Sequence, residues 1–391
     1  MTAPGRVTLG SERLLASGQL KKKRVGIVSN PASVNAEFQH IVALLARAPD
    51  VRLAAIFGPQ HGYRADVQDN MIQTGHSKDA LRRVPVYSLY SETREPTAEM
   101  LKSVDVLVVD LQDVGARIYT FIYTMANCLR GAKKHGVPVI VCDRPNPIGG
   151  VKIGGPMLRP GYESFVGQFP IPLRHGMTIG ELARFFNDAC GIGADLTVMP
   201  LENWKRPMHF DETGLAWVMP SPNMPTLDTA IVYSGTVLIE GTNISEGRGT
   251  TRPFELIGAP WVDPEQLAEK LAAYRLPGVH FRPAMFEPTF QKHARTSCGG
   301  CQIHVLDRNA FKAVESAVAV LTEIRAQGVT KFQWRQPPYE YEEVKLPFDI
   351  LAGSGELRQQ VEAGLPVRTI YYSWEAEHER FAKTRAPFLL Y

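Results

Sequence analysis

Along the first 145 residues, apolar runs alternate with segments of helical spacing. The runs are RVGIV (24–28), RLAAIF (52–57), VPVYSLY (84–90), VDVLVVDL (104–111) and VPVIVC (137–142). Between them, AEFQHIVALLARA (36–48) and IYTFIYTMANCLRGAKKHG (118–136) repeat apolar residues at helical spacing, the second ending in lysines and a glycine. These patterns predict helices. Unbroken Val/Ile/Leu runs separated by helices predict parallel strands buried on both faces, and hence a doubly wound α/β domain.

Further along, MTIGELARFFNDAC (177–190) predicts a helix opened by a Thr178/Glu181 capping box, followed by a strand at 195–201. Residues 200–260 are rich in Pro, Gly, Asn and Ser, and loops of that length in a compact protein are usually functional. Asp263-Pro264 then reads as N-cap and first helical residue of a new segment. Strands VHFRPAMF and CQIHVLD and a long helix NAFKAVESAVAVLTEIRAQ follow, giving a second, smaller α/β set. The expected division is 1–260 and 261–391, with no internal repeat.

Composition narrows the class. With 391 residues, 44% hydrophobic and 21% charged, the chain reads as an ordinary globular protein. A net charge of +3 gives no nucleic-acid footprint, and KKKR (21–24) reads as a solvated approach to the first strand. No run is long enough for a membrane span, and the N-terminal stretch lacks the pattern of a signal peptide. Five cysteines, an odd number, argue against a disulfide framework, so the expected compartment is the cytoplasm. Cys298 and Cys301 form a lone CGGC without a second pair at metal spacing.

Polar clusters follow three of the predicted strands: GPQHG, QDVGARIYT and DRPNPIGG. In an open parallel sheet the loops at the carboxyl ends of strands share one edge, where ligands bind. His61, Asp113, Arg117, Asp143, Arg144 and Asn146 are therefore expected together, although Asp143 read alone is a turn cap and Asp113 an Asx-turn residue. The first strand is followed by no G-x-G-x-x-G, and neither a P-loop nor a G-x-S-x-G elbow occurs. Nothing calls for a nucleotide or another cofactor. His61, His175 and Asp113 or Asp143 are the donors a metal-dependent hydrolase would use, without short-spacing support. LIEGTNISEGRGTTRPFELIGAPW (238–261) sets Glu240, Glu246 and Glu255 among small residues beside Arg248 and Arg252. Glycoside hydrolysis needs two carboxyl groups across the scissile bond, and Asp113, Asp143, Glu240 and Glu246 are the acids available.

Long stretches of unusual wording, among them FGPQHG, DLQDVGARIYTFIYTM, DRPNPIGG, PIPLRHGMTIGELARFFN, PSPNMPTLDTAIVYSGT, EGTNISEGRGTTRPFELIGAPW and RAPFLLY, cover nearly the whole chain. In these it resembles the bacterial exo-β-N-acetylmuramidases of the NamZ type. The resemblance implies release of terminal N-acetylmuramic acid from the non-reducing end of peptidoglycan fragments. It also implies a Rossmann-like larger domain, a smaller C-terminal one, and a site in the cleft between them. On this footing the catalytic candidates are Glu246, Asp113, Asp143 and His61. The lactyl carboxylate of the sugar calls for Arg117, Arg144, Arg174 or Arg248, and its acetamido group for Asn146, Asn223 or Asn243. Gln60, Tyr119, His175 and Glu240 complete the expected binding set. The sequence departs from the family at Gln60, where members often carry glutamate, and an amide neither gives nor takes a catalytic proton. Three readings stay open: Asp66, Asp69 or Glu246 carries the chemistry, the substrate has shifted, or the protein binds sugar without cleaving it.

Overall fold

The computed structural model describes residues 5–65 and 72–391. The larger sheet holds β1 (Arg24–Ser29), β2 (Arg52–Gly58), β3 (Ser77–Lys78), β4 (Pro85–Ser88), β5 (Val106–Asp110) and β6 (Val139–Cys142). The short pair β7 (Gly154–Met157) and β8 (Pro172–Arg174) stands apart, and β9 (Leu196–Met199) returns to the sheet. The order is β3-β4-β2-β1-β5-β6-β9, parallel throughout except β3. Leaving out the edge strand β3, this is the Rossmann order, with its switch point between β1 and β5.

Alternation along the strands divides the core in two. Val25, Ile27, Val106, Val108 and Ile140 pack with Leu14 of α1 (Gly10–Ser17) and with Ile41, Val42 and Leu45 of α2 (Ile41–Arg47). Leu107, Val109, Val139 and Val141 point the other way, into the core formed with α4 (Phe121–Lys134) and α5 (Ile179–Asp188), α3 being the short Ala98–Leu101. The expected doubly wound sheet is therefore present. The helix expected over 36–48 is shorter. Asn35 Oδ1 accepts the amides of Glu37 and Gln39, Phe38 takes φ +57°, and His40 caps α2. An Asx-type turn thus wins over helical periodicity for the first five residues. Thr178 and Glu181 form the expected capping box of α5.

A smaller antiparallel sheet orders β10 (Leu256–Ala259), β12 (Cys298–Val305) and β11 (Val279–Phe286). The expected division at residue 260 falls just after β10, a strand of this smaller sheet. The CGGC stretch lies in its central strand. A Cβ on Gly299 or Gly300 would sit 2.0 Å from a carbonyl oxygen of Val262 or Ile257, so the glycines permit close strand approach, and both thiols are buried and free. Two helices, α6 (Leu227–Thr236) and α8 (Ala313–Gln327), pack together; α7 (Pro264–Ala273) joins α8, and α9 (Pro347–Ala352) sits on the turn at Val237–Gly241. Among the described residues, no helix is long and apolar enough to cross a membrane.

Candidate active site

Beyond the carboxyl end of β2, the chain turns sharply. The Gly62 amide bonds the Pro59 carbonyl, and His61 takes φ +69°, a left-handed conformation uncommon outside glycine. The turn buries Gln60 and His61, which line a cavity together with Tyr119 and Thr120 from the loop after β5 and Phe121 at the start of α4. Ser221, Asn223, Tyr233, Glu240, Arg248, Phe254, Tyr339 and Glu340 come from the second half of the chain. The space, open mouth included, is about 500 Å³. Tyr119 meets Phe121 and Tyr233 edge-on, and Tyr233 meets Phe254 likewise, giving the cavity an aromatic lining. Such rings offer flat apolar faces and, for tyrosine, a polar tip.

Glu240 and Arg248 of this lining belong to a buried charge network. Arg248 reaches Glu240 at 2.5 Å and Glu246 at 3.3 Å, while Lys292 Nζ reaches Glu246 at 2.8 Å. Two acids thus meet two cations. Lys292 also donates to the carbonyls of Ile239, Glu240 and Ile244, and Tyr339 donates to Glu240 Oε2 at 2.8 Å. Burial opposes charge on Glu246, but Lys292 and Arg248 overcome it and hold the carboxyl below its ordinary range. Glu246 does not line the cavity. A carboxylate so paired is a counter-ion for Arg248, which weighs against the acid role expected of it.

Glu340 differs. Tyr90 donates to its Oε2 at 3.1 Å and Gln60 Nε2 to its Oε1 at 3.4 Å. Burial pushes this carboxyl up to about 7; the Tyr90 bond pulls the other way, and the charge of Glu240 adds to the rise. A carboxyl in this state can hold a proton near neutral pH and surrender it. Arg94 stacks over Tyr90 and Tyr341, 4.6 and 4.5 Å from their centroids, steadying the rings beside Glu340. Gln60 is an orienting group: its carbonyl takes the Thr120 hydroxyl at 2.7 Å while its amide faces the acid.

Of the residues expected from sequence, the cavity gathers Gln60, His61, Tyr119, Asn223, Glu240 and Arg248. The others serve as struts around it. Arg144, just after β6, forms a buried ion pair at 2.6 Å with Asp110 at the end of β5. Asp143 accepts from the Arg144 and Gly180 amides and from the hydroxyls of Thr178 and Tyr391, all within 2.9 Å. It thereby ties the start of α5 to Tyr391. Gly180 is required there, because a Cβ would stand 2.7 Å from the Asp143 carboxyl carbon. Asn146 bonds Met177 and Ile148 backbone, and Asp113 Oδ2 holds the Gly115 amide in an Asx turn, 3.5 Å from His175 Nε2. Arg117 donates to the carbonyls of Leu351 and Ala352, where the end of α9 presents partial negative charge. Arg174 bonds the Ile148 carbonyl and lines a separate cavity. Asn243 also misses the cavity. Its side chain bonds Lys331 and Gln333 backbone, and its own amide bonds the Gln333 carbonyl, pinning the segment that leads to Tyr339 and Glu340. Asp66 and Asp69 lie outside the described residues. The donors weighed for a metal do not converge, and among the described residues no group of three His, Cys, Asp or Glu could hold one.

Sequence reasoning missed Tyr90, Thr120, Ser221, Tyr233, Tyr339 and Glu340. Glu340 sits in YEYEEVK, which reads as a solvated charged stretch; its flanking tyrosines are the one hint of burial.

Comparison with known proteins identifies the family. Residues 25–228 match the family model for the N-terminal region of exo-beta-N-acetylmuramidase NamZ, and residues 231–391 that for its C-terminal region. The peptidoglycan beta-N-acetylmuramidase NamZ of Bacillus subtilis (strain 168) is 51% identical over 373 residues, spanning 95% of this chain and 88% of the relative. Two crystal structures of DUF1343 family proteins from Bacteroides fragilis NCTC 9343 superpose over 99% of each chain. Their TM-scores are 0.88 and 0.75, at 35% and 27% identity.

Proposed function

The chain belongs to the exo-beta-N-acetylmuramidase NamZ family, and we propose that it hydrolyses the β-glycosidic bond of terminal N-acetylmuramic acid in peptidoglycan fragments. The observation that carries the chemistry is Glu340, a buried carboxyl on the cavity wall lifted to about 7. It is the proton donor to the departing glycosidic oxygen. Glu240, fixed by Arg248 and Tyr339, is the second carboxyl group and faces the positive charge that develops on the sugar ring. The aromatic lining takes the pyranose, Arg248 reads the lactyl carboxylate, and Asn223 meets the acetamido group. His61 and Gln60 close the wall beside Glu340.

This reading replaces Glu246, Asp113 and Asp143 as proton donors and answers the departure at Gln60, because the acid arrives from the other half of the chain. The five cysteines are free, which supports work in a reducing compartment, on wall fragments delivered to the cytoplasm. The test uses a chromogenic N-acetyl-β-muramide alongside the matching β-glucosaminide. Turnover of the muramide, and little of the glucosaminide, is expected. Binding of the muramide without release at high protein concentration would instead identify a sugar-binding protein.

A further inference from the structure

Tyr233 of α6 lines the catalytic cavity, and its neighbour Ser234 lines a second one of about 630 Å³, mouth included. Its walls carry Lys152, Arg174, Lys312 and Tyr371, with backbone from the segment entering α8. Lys312 is balanced by Glu315 at 3.6 Å and lies over the rings of Tyr371 and Tyr372. Lys152 and Arg174 have no such balance: among the described residues, neither has a carboxylate within 4.0 Å. Arg174 is 7% exposed, its Nη2 bonds the Ile148 carbonyl, and its Nε is buried without any hydrogen-bond partner. Lys152 Nζ donates to the carbonyls of Arg308 and Phe311. The acid whose charge reaches Lys152, Asp307, is exposed and accepts the amides of Asn309 and Ala310. Burial, and the charge of Arg174, push Lys152 down to about 8, and burial pushes Arg174 down to about 10.

Holding two unbalanced cations in a partly desolvated wall costs free energy unless an anion shares the site. The cavity also contains the start of α8, a fifteen-residue helix with no side-chain cap, whose first amides have no partner within the helix. Amides at a helix start favour oxyanions, and two unpaired charges match a dianion better than a carboxylate. We infer that this second cavity, bounded by Lys152, Arg174 and the first turn of α8, binds a phosphate dianion, free or as a phosphomonoester.

Calorimetry and thermal melting at pH 7 test it, with inorganic phosphate, glucose 6-phosphate and acetate as probes at matched ionic strength. Saturable binding of at least one phosphate probe is expected, roughly tenfold or more tighter than acetate, with a rise in melting temperature. The tighter of the two phosphate probes tells whether the ligand is free or esterified. Lys152→Met should weaken binding about tenfold or more, and Lys312→Met less. Both should keep parental turnover of the muramide, since neither residue lines the catalytic cavity. Absence of saturable binding of either phosphate probe at millimolar concentration overturns the inference. Acetate binding as tightly, or undiminished phosphate binding in a folded Lys152→Met protein, overturns it too.

Discussion

Glu340 and Asp143 are both buried carboxyl groups lifted to about 7, burial being the leading cause for each. Their surroundings separate them. Asp143 spends its oxygens on two backbone amides and two hydroxyls that fasten α5 and Tyr391, and it does not line the catalytic cavity. Glu340 receives a phenol and a side-chain amide and keeps a face on the cavity. A perturbed carboxyl therefore marks a reaction centre only where substrate can reach it; elsewhere it marks a strut.

The sharpest break of the pair is substitution of each acid by its amide. Glu340→Gln should lower kcat by about 10²–10⁴-fold with the fold intact, while Asp143→Asn should leave kcat per folded molecule near parental. Circular dichroism and active-site-normalised turnover check both; the reverse result would exchange their roles. Next in size, Arg144→Met leaves Asp110 buried without its cation and should cost about 3–5 kcal/mol by denaturant unfolding, with no matching loss of catalysis.

A smaller effect separates chemistry from stability at Glu340 itself. Its folded pKa is raised, so its contribution to stability is full below the unfolded value of about 4.3 and is lost as pH rises through about 7. Glu340→Gln should therefore be more stable than the parent above pH 7, by about 3 to 4 kcal/mol at most, with the gain vanishing below pH 4. Melting curves across that range check the sign. Smallest, kcat/KM should fall as pH rises through about 7, because the donor loses its proton. Gln60→Glu, which sets a like charge beside Glu340, should move that fall upward by about one pH unit. A profile unmoved by Gln60→Glu would separate the limb from Glu340.

The sheet was legible because its strands are buried on both faces, and runs such as VDVLVVDL admit few other readings. Gln60, His61, Tyr119, Glu240 and Arg248 were legible because they follow strands or lie in a glycine-rich segment where backbone can approach a ligand, and Asn223 because it lies in a stretch that resembles the family. The arginines misled: Arg117, Arg144 and Arg174 occupy motifs worded like a ligand site, yet Arg117 and Arg174 meet backbone carbonyls and Arg144 a buried aspartate. Glu340 was hidden for the opposite reason. Its burial depends on the 331–335 segment being drawn onto Asn243 and Gly241, about a hundred positions earlier, and no local pattern encodes that pairing.

That attachment has a consequence for the medium in which the protein works. The segment carrying Glu340 hangs from amide-to-carbonyl bonds at Asn243 and Gly241, and a phenol and a side-chain amide donate to the acid itself. Dissolved ions screen charges and leave such neutral bonds largely untouched. The proton donor should thus stay in place from dilute buffer to brine, and the ionic strength of the surroundings should register in how the anionic sugar arrives rather than in how fast its bond is broken.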